Sequence, residues 1–242
     1  MLILLPPSEG KTAPASGDPV DLGSLAYADE LTAKRERVLA ALVRTSSGKQ
    51  RGRALKALGL SAGQAGELDR NAALETAPAA PAAEIYTGVL YERLRLPELP
   101  EEARRQVLIA SALWGVVAPD DRIPAYRLSI AAKLPRIAGL AAYWRPALAK
   151  ALPDDGLVVD LRSGGYAAAW APERASVVAV RGFTPEGKVI SHFVKAIRGD
   201  VARALLLAPS VPQSPEDVAE IARGAGFDAA LNGASLDVTT AG

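Results

Sequence analysis

The chain opens on an unbroken apolar run, Leu2 to Leu5, stopped by Pro6-Pro7 and followed from Ser8 to Asp21 by a loop rich in Pro, Gly and Ser. A short apolar run bounded by turn residues predicts a buried strand with a loop at its carboxyl end. Leu31, Val38, Leu39, Leu42 and Val43 then recur at helical spacing, which predicts an amphipathic helix over 29–44 with a charged opposite face. Two shorter helical segments, 51–58 and 62–74, are joined by the turn Gly59-Leu60-Ser61, and 77–83 is a Pro/Ala connector. Strand-like apolar runs lie at 107–113, 157–161, 176–180 and 189–193, the last two reading as a hairpin closed by the turn 184–188. Helices are predicted over 137–152, 194–207 and 215–225, the last with Ser214 as N-cap, Pro215 in the first turn and the early acids Glu216 and Asp217. Strands and helices do not alternate strictly, so the pattern predicts one α+β domain, a mixed sheet flanked by helices, over 1–242.

Composition narrows the chemistry. With 242 residues and 49% apolar content the chain can bury one large core. It has no cysteine and a single histidine, His192, which argues against disulfides, thiolate or histidine metal sites and a serine-histidine triad, and no carboxylate cluster suggests an iron site. No metal and no cofactor are expected, and any chemistry must run on Lys, Arg, Tyr, Ser and carboxylates. The initial apolar run is too short for a signal peptide or a membrane span, so a cytoplasmic protein with no membrane partner is expected. The net charge is +1, yet the charges are segregated: between 33 and 56 lie eight Lys or Arg against Glu36 alone, about +7. From 122 to 150 there are six basic residues and no acid, whereas 209–242 carries five acids and one arginine, Arg223. Basic segments brought together by folding would make a positive surface on a nearly neutral protein.

Three segments could carry recognition. The loop Pro6-Pro7-Ser8-Glu9-Gly10-Lys11-Thr12 ends like a phosphate loop but has Leu5 where the earlier glycine would stand, so it is no Walker motif. It reads either as a solvated loop or as a place where Lys11 and Ser8 meet a phosphate or carboxylate. The segment 51–74, with Arg51, Arg53 and Lys56, reads either as a common helix pair or as a helix-hairpin-helix-like element holding phosphates by turn N–H groups and cations. In 188–200, Val194, Ile197, Val201 and Leu205 form the apolar stripe while Ser191, Lys195 and Arg198 share the adjacent one. That face lines a phosphate cleft or is a surface helix with snorkelling cations. Tyr86-Thr87-Gly88, the stretch from Trp114-Gly115 to Tyr126-Arg127, and Asp160-Leu161-Arg162-Ser163-Gly164-Gly165-Tyr166 add aromatics interleaved with arginine, able to stack bases or to cap a core.

The ordered set Tyr86-Thr87-Gly88, Leu113-Trp114-Gly115-Val116 with Pro119 and Tyr126-Arg127-Leu128, Tyr143-Trp144, Asp160-Leu161-Arg162-Ser163 with Tyr166, and Ser191 with Lys195-Ala196-Ile197-Arg198-Gly199 resembles the YaaA-type peroxide stress protein family across roughly residues 2–232. The resemblance implies a single mixed α/β domain, a positively charged cleft, a helix-hairpin-helix-like element that binds DNA, and protection against peroxide in part by limiting free iron. The loop departs from the family in reading Pro-Ser-Glu-Gly-Lys rather than Ser-Pro-Ala-Lys. The partner expected is DNA, duplex or damaged, with weak sequence preference, held by Arg51, Arg53, Lys56, Ser8, Arg127, Ser163, Ser191 and Arg198. The alternative is an enzyme acting on a nucleotide, a nucleobase or damaged DNA, with Lys11 or Lys195 as nucleophile or base and Tyr86 or Tyr166 as acid. An open basic groove would favour binding, an enclosed pocket around Lys11 and Lys195 catalysis.

Overall fold

In this computed structural model, residues 1–184 and 191–240 are described, the side chains of Ser191, His192 and Thr240 excepted. In chain order the elements are β1 (Leu2–Leu5), α1 (Ala28–Ser46), α2 (Arg51–Leu58), α3 (Gly66–Ala72), β2 (Ala80–Pro81), α4 (Ala82–Ile85), α5 (Val89–Leu94), α6 (Glu101–Arg104), β3 (Val107–Ser111), β4 (Gly115–Val117) and β5 (Arg122–Ile123). They continue with α7 (Leu140–Ala151), β6 (Leu157–Asp160), α8 (Gly164–Ala167), β7 (Ser176–Phe183), α9 (Ser191–Leu206), α10 (Pro215–Gly224), β8 (Phe227–Asn232) and β9 (Ser235–Thr240).

Consecutive apolar residues are buried only where both faces of a strand are covered, and β1, β3 and β6 accordingly lie inside a seven-stranded sheet of order β4-β3-β1-β6-β7-β9-β8. Five strands run parallel, with Ile3 opposite both Val107 and Val159, and the antiparallel β4 and β8 close the two edges. This is the mixed sheet flanked by helices that the pattern predicts. The chain leaves β1 toward β3 and β4 on one side and then crosses to β6 on the other. The carboxyl ends of β1 and β6 thus flank a topological switch point, where loops diverge and a crevice opens.

The helix expected at 29–44 is α1, but its inner stripe carries a charge. Leu31, Arg35, Val38 and Leu42, spaced four, three and four, are all fully buried. Arg35 Nε donates to Trp114 O at 3.1 Å, and its Nη2 to Ala26 O at 2.7 Å and Val116 O at 2.9 Å, so this cation ties α1 to β4. Lys34 donates to Tyr143 O at 2.9 Å, and α10 starts on the expected N-cap Ser214, which the structure shows in a capping box with Asp217.

The hairpin expected over 176–193 is corrected. β7 runs on to Phe183 and pairs in parallel with β6 and β9, and Ser191 to Phe193 open α9. Residues 185–188 of the predicted turn 184–188, and 189–190 of the predicted strand, lie outside the described residues. A short apolar run leading into an amphipathic helix is indistinguishable by periodicity from a strand, and helix was the state that packed. A hairpin does form at β8–β9, closed by Gly233-Ala234 with Gly233 at φ 58°, and no strand was predicted there. Among the described residues no helix is long and apolar enough to cross a membrane.

Candidate functional site

Beyond the end of β1 the chain does not wander into solvent. The Thr87 N–H donates to Ser8 Oγ at 3.0 Å, the Thr12 N–H donates to Ile85 O at 2.9 Å, and Lys11 bridges Tyr86, so 8–12 is zipped onto 85–87. The solvated-loop reading therefore gives way to a structured loop, which forms one wall of a cleft of about 720 Å³ at the switch point. Such a volume suits a nucleotide-sized ligand. Ser163 and Tyr166 follow β6, Arg127 to Ile130 form a second loop, and α5 and α9 supply Leu90, Tyr91, Lys195 and Arg198.

The fold thus gathers Ser8, Lys11, Arg127, Ser163, Tyr166, Lys195 and Arg198 around one space. Arg127 donates to Glu9 Oε2 at 3.0 Å, and its backbone is clamped by the buried Asn71 of α3: Arg127 N–H donates to Asn71 Oδ1 at 2.9 Å and Asn71 Nδ2 to Arg127 O at 2.8 Å. The element at 51–74 consequently abuts the cleft. Arg198 donates Nε to Val180 O at 3.0 Å, and its burial lowers the guanidinium's affinity for its proton. α9 can approach so closely because position 199 is glycine: a Cβ there would sit 2.8 Å from Arg93 Cβ and closer still to Leu90 O.

Lys11 is the most perturbed of these groups. Its Nζ donates to Ser8 O at 2.7 Å and lies 4.3 Å from the Tyr126 ring centroid and 5.2 Å from that of Tyr86. Burial first, and the Arg127 charge second, lower its pKa from 10.5 to about 7, against the smaller opposing pull of Glu67 and Glu9. The aromatic faces favour the ammonium. Tyr166 is pushed up to about 12, chiefly by burial, and stays a protonated phenol at neutral pH.

Several expected residues stand elsewhere. Tyr86 is corrected as an acid: it is buried beneath Lys11, its hydroxyl 3.0 Å from that of Tyr126, which in turn lies 2.7 Å from Ser111 Oγ, so it offers the cleft a ring and no proton. Arg51 stands exposed outside the cleft lining, with both its terminal nitrogens on Asp69 at 2.7 and 3.0 Å and Nη2 also on Ala65 O. Arg53 and Lys56 are exposed on α2, away from the cleft lining, and the Ser191 side chain lies outside the described residues. Arg162 points inward, forked on Asp160 with 2.9 and 2.8 Å bonds and donating to Trp170 O at 2.8 Å.

The sequence reading missed Asn71 and Tyr91, whereas Tyr126 stood among the aromatics it singled out. Asn71 was legible as the polar residue three after Leu68 on the buried stripe of a short helix. Tyr91, whose hydroxyl donates to Pro6 O at 2.7 Å, had no such signal.

Comparison with known proteins matches this arrangement to a family. A UPF0246 protein of Streptomyces coelicolor is 46% identical over 240 residues, covering 94% of this chain and 91% of the relative. A UPF0246 protein of Corynebacterium glutamicum is 42% identical over 234 residues, 94% of each chain, and one of Corynebacterium efficiens is 41% identical over 239 residues, 96% of each. A family model described as peroxide stress protein YaaA matches residues 1–230. The chain belongs to the peroxide stress protein YaaA family.

Proposed function

We propose that this chain serves the peroxide stress response by binding DNA, duplex or damaged and with weak sequence preference, along the cleft and the adjoining α2–α3 surface. The observation that carries this reading is the convergence of Lys11, Arg127, Lys195 and Arg198, distant in sequence, on one space in a protein whose net charge is only +1. Focused positive charge of that kind attracts phosphodiester backbones, which need no base-specific donors. Occupied DNA in the cytoplasm would then be shielded from iron-dependent oxidation.

The test is fluorescence anisotropy with labelled duplex, gapped and single-stranded DNA over a salt series, using the parent chain, Lys195→Ala and the double variant Arg53→Ala/Lys56→Ala. Binding that weakens steeply with salt, falls in Lys195→Ala and falls less in the α2 variant is expected. Absence of binding at low salt overturns the reading.

A second reading, an enzyme acting on a nucleotide, nucleobase or damaged DNA, is favoured by one observation: a partly buried lysine with a pKa near neutrality, against Arg127 and within the same cleft as Tyr166. Turnover of a damaged strand that is lost in Lys11→Met would select it.

A further inference from the structure

Lys11 presents a primary amine at a cleft that also holds the cationic side chains of Arg127, Lys195 and Arg198. Its Nζ is fixed by Ser8 O at 2.7 Å and backed by the Tyr126 and Tyr86 rings, while Arg127, Lys195 and Arg198 line the same space. Resting on the reading of this cleft as an anion site, we infer that Lys11 forms a Schiff base with an aldehyde carbon carried beside a phosphate. Two sources share that chemistry: the ring-opened sugar of a base-free site in a DNA strand, and a free aldose phosphate.

The step balances without any oxidant or reductant. The lone pair of the neutral amine attacks the carbonyl carbon, a C–N bond forms, and the C=O π pair moves to oxygen, which takes up a proton as the nitrogen loses one. The nitrogen lone pair then forms C=N as the C–O bond breaks, the hydroxyl leaves as water with a proton from Tyr166, and the nitrogen's remaining proton returns to the phenolate. Amine and aldehyde give imine and water. A pKa of about 7 supplies the neutral amine at physiological pH, and Tyr166, lining the cleft and still protonated there, is placed to protonate the departing hydroxyl. The protonated imine carries its positive charge on the same nitrogen, so the ring face 4.3 Å from the ammonium stabilises the adduct as well. Arg127 and its neighbours pair the adjoining phosphate, which fixes the aldehyde carbon near the amine.

The experiment incubates the full chain with sodium cyanoborohydride and, in separate arms, an end-labelled duplex with one base-free site, the same duplex intact, and ribose 5-phosphate. Expected is a band that survives a denaturing gel with the base-free duplex only. Peptide mass spectrometry would map the reduced adduct to Lys11, and Lys11→Arg and Lys11→Met would lose it. Because the adduct is mapped on the parent chain, misfolding of a variant does not decide the result. A Lys11 adduct with ribose 5-phosphate and no DNA binding supports the Schiff base and overturns the DNA reading. DNA bound by anisotropy with no Lys11 adduct in either arm overturns the Schiff base and leaves the DNA reading standing. Trapping spread equally over Lys49, Lys195 and Lys11 also overturns it.

Discussion

At the scale of one residue, Lys11 shows two opposed effects and which of them wins. Ring faces and the Ser8 carbonyl favour the ammonium, whereas burial and Arg127 favour the amine, and the balance falls to about 7 from 10.5. That shift is also a statement about stability. Between pH 7 and 10.5 the unfolded chain binds the Lys11 proton and the folded chain does not, so folding gains stability as pH rises through that window. Below pH 7 both states are charged and the whole penalty applies, on the order of a few kcal/mol for a shift of this size. Lys11→Met should therefore melt higher than the parent at pH 6 to 7, with the difference shrinking steadily toward pH 10.5. Thermal unfolding of both chains across that range checks it, and a difference independent of pH would contradict the assigned protonation.

At the scale of elements, the cleft depends on α3 although α3 contributes nothing to its lining. Asn71 satisfies both backbone groups of Arg127, so Asn71→Ala leaves an N–H and a C=O without those partners. A loss of about 2 to 4 kcal/mol follows, read as a lower melting temperature, together with weaker DNA binding because the Arg127 loop shifts. Asn71→Asp keeps the acceptor for the Arg127 N–H and should fall between; parent-like stability and affinity in Asn71→Ala would remove the clamp from the account. The elements themselves were legible where the apolar positions keep a clear period or run: β1, β3, β6, α1, α2, α9 and α10 stand close to their expected places. The β8–β9 hairpin was overlooked although its signals are present: Asp228, Asn232 and Asp237 hold the outward positions of an alternation whose inward ones are Phe227, Ala229, Leu231, Leu236 and Val238, and Asn232-Gly233 is a turn signal. Arg35 was assigned to the solvent face for want of any rule in the pattern by which three carbonyls could hold a buried guanidinium through Nε and Nη2 while Nη1 lacks a partner.

At the scale of the whole molecule, the charge runs of the sequence and the charge of the cleft are different things. The run between 33 and 56 suggested a basic surface, yet Arg35 is buried in the core, Lys34 holds Tyr143 and Arg51 holds Asp69. The cations that converge come instead from positions 11, 127, 195 and 198, which only the crossing of the chain over β1 brings together. Individual residues of the site were therefore readable as chemistry, but their meeting was a property of topology. If the cleft is where phosphates are held, the salt dependence of DNA binding must follow the cleft and not the run. Each phosphate contact removed lowers the slope of log K against log salt by about 0.9. Arg127→Ala should show that change, while the double variant Arg44→Ala/Lys49→Ala, exposed at the end of α1 and just beyond it, should keep the parent slope. Equal losses in both would mean that binding follows diffuse charge, and the switch-point cleft would then have no special claim on the nucleic acid.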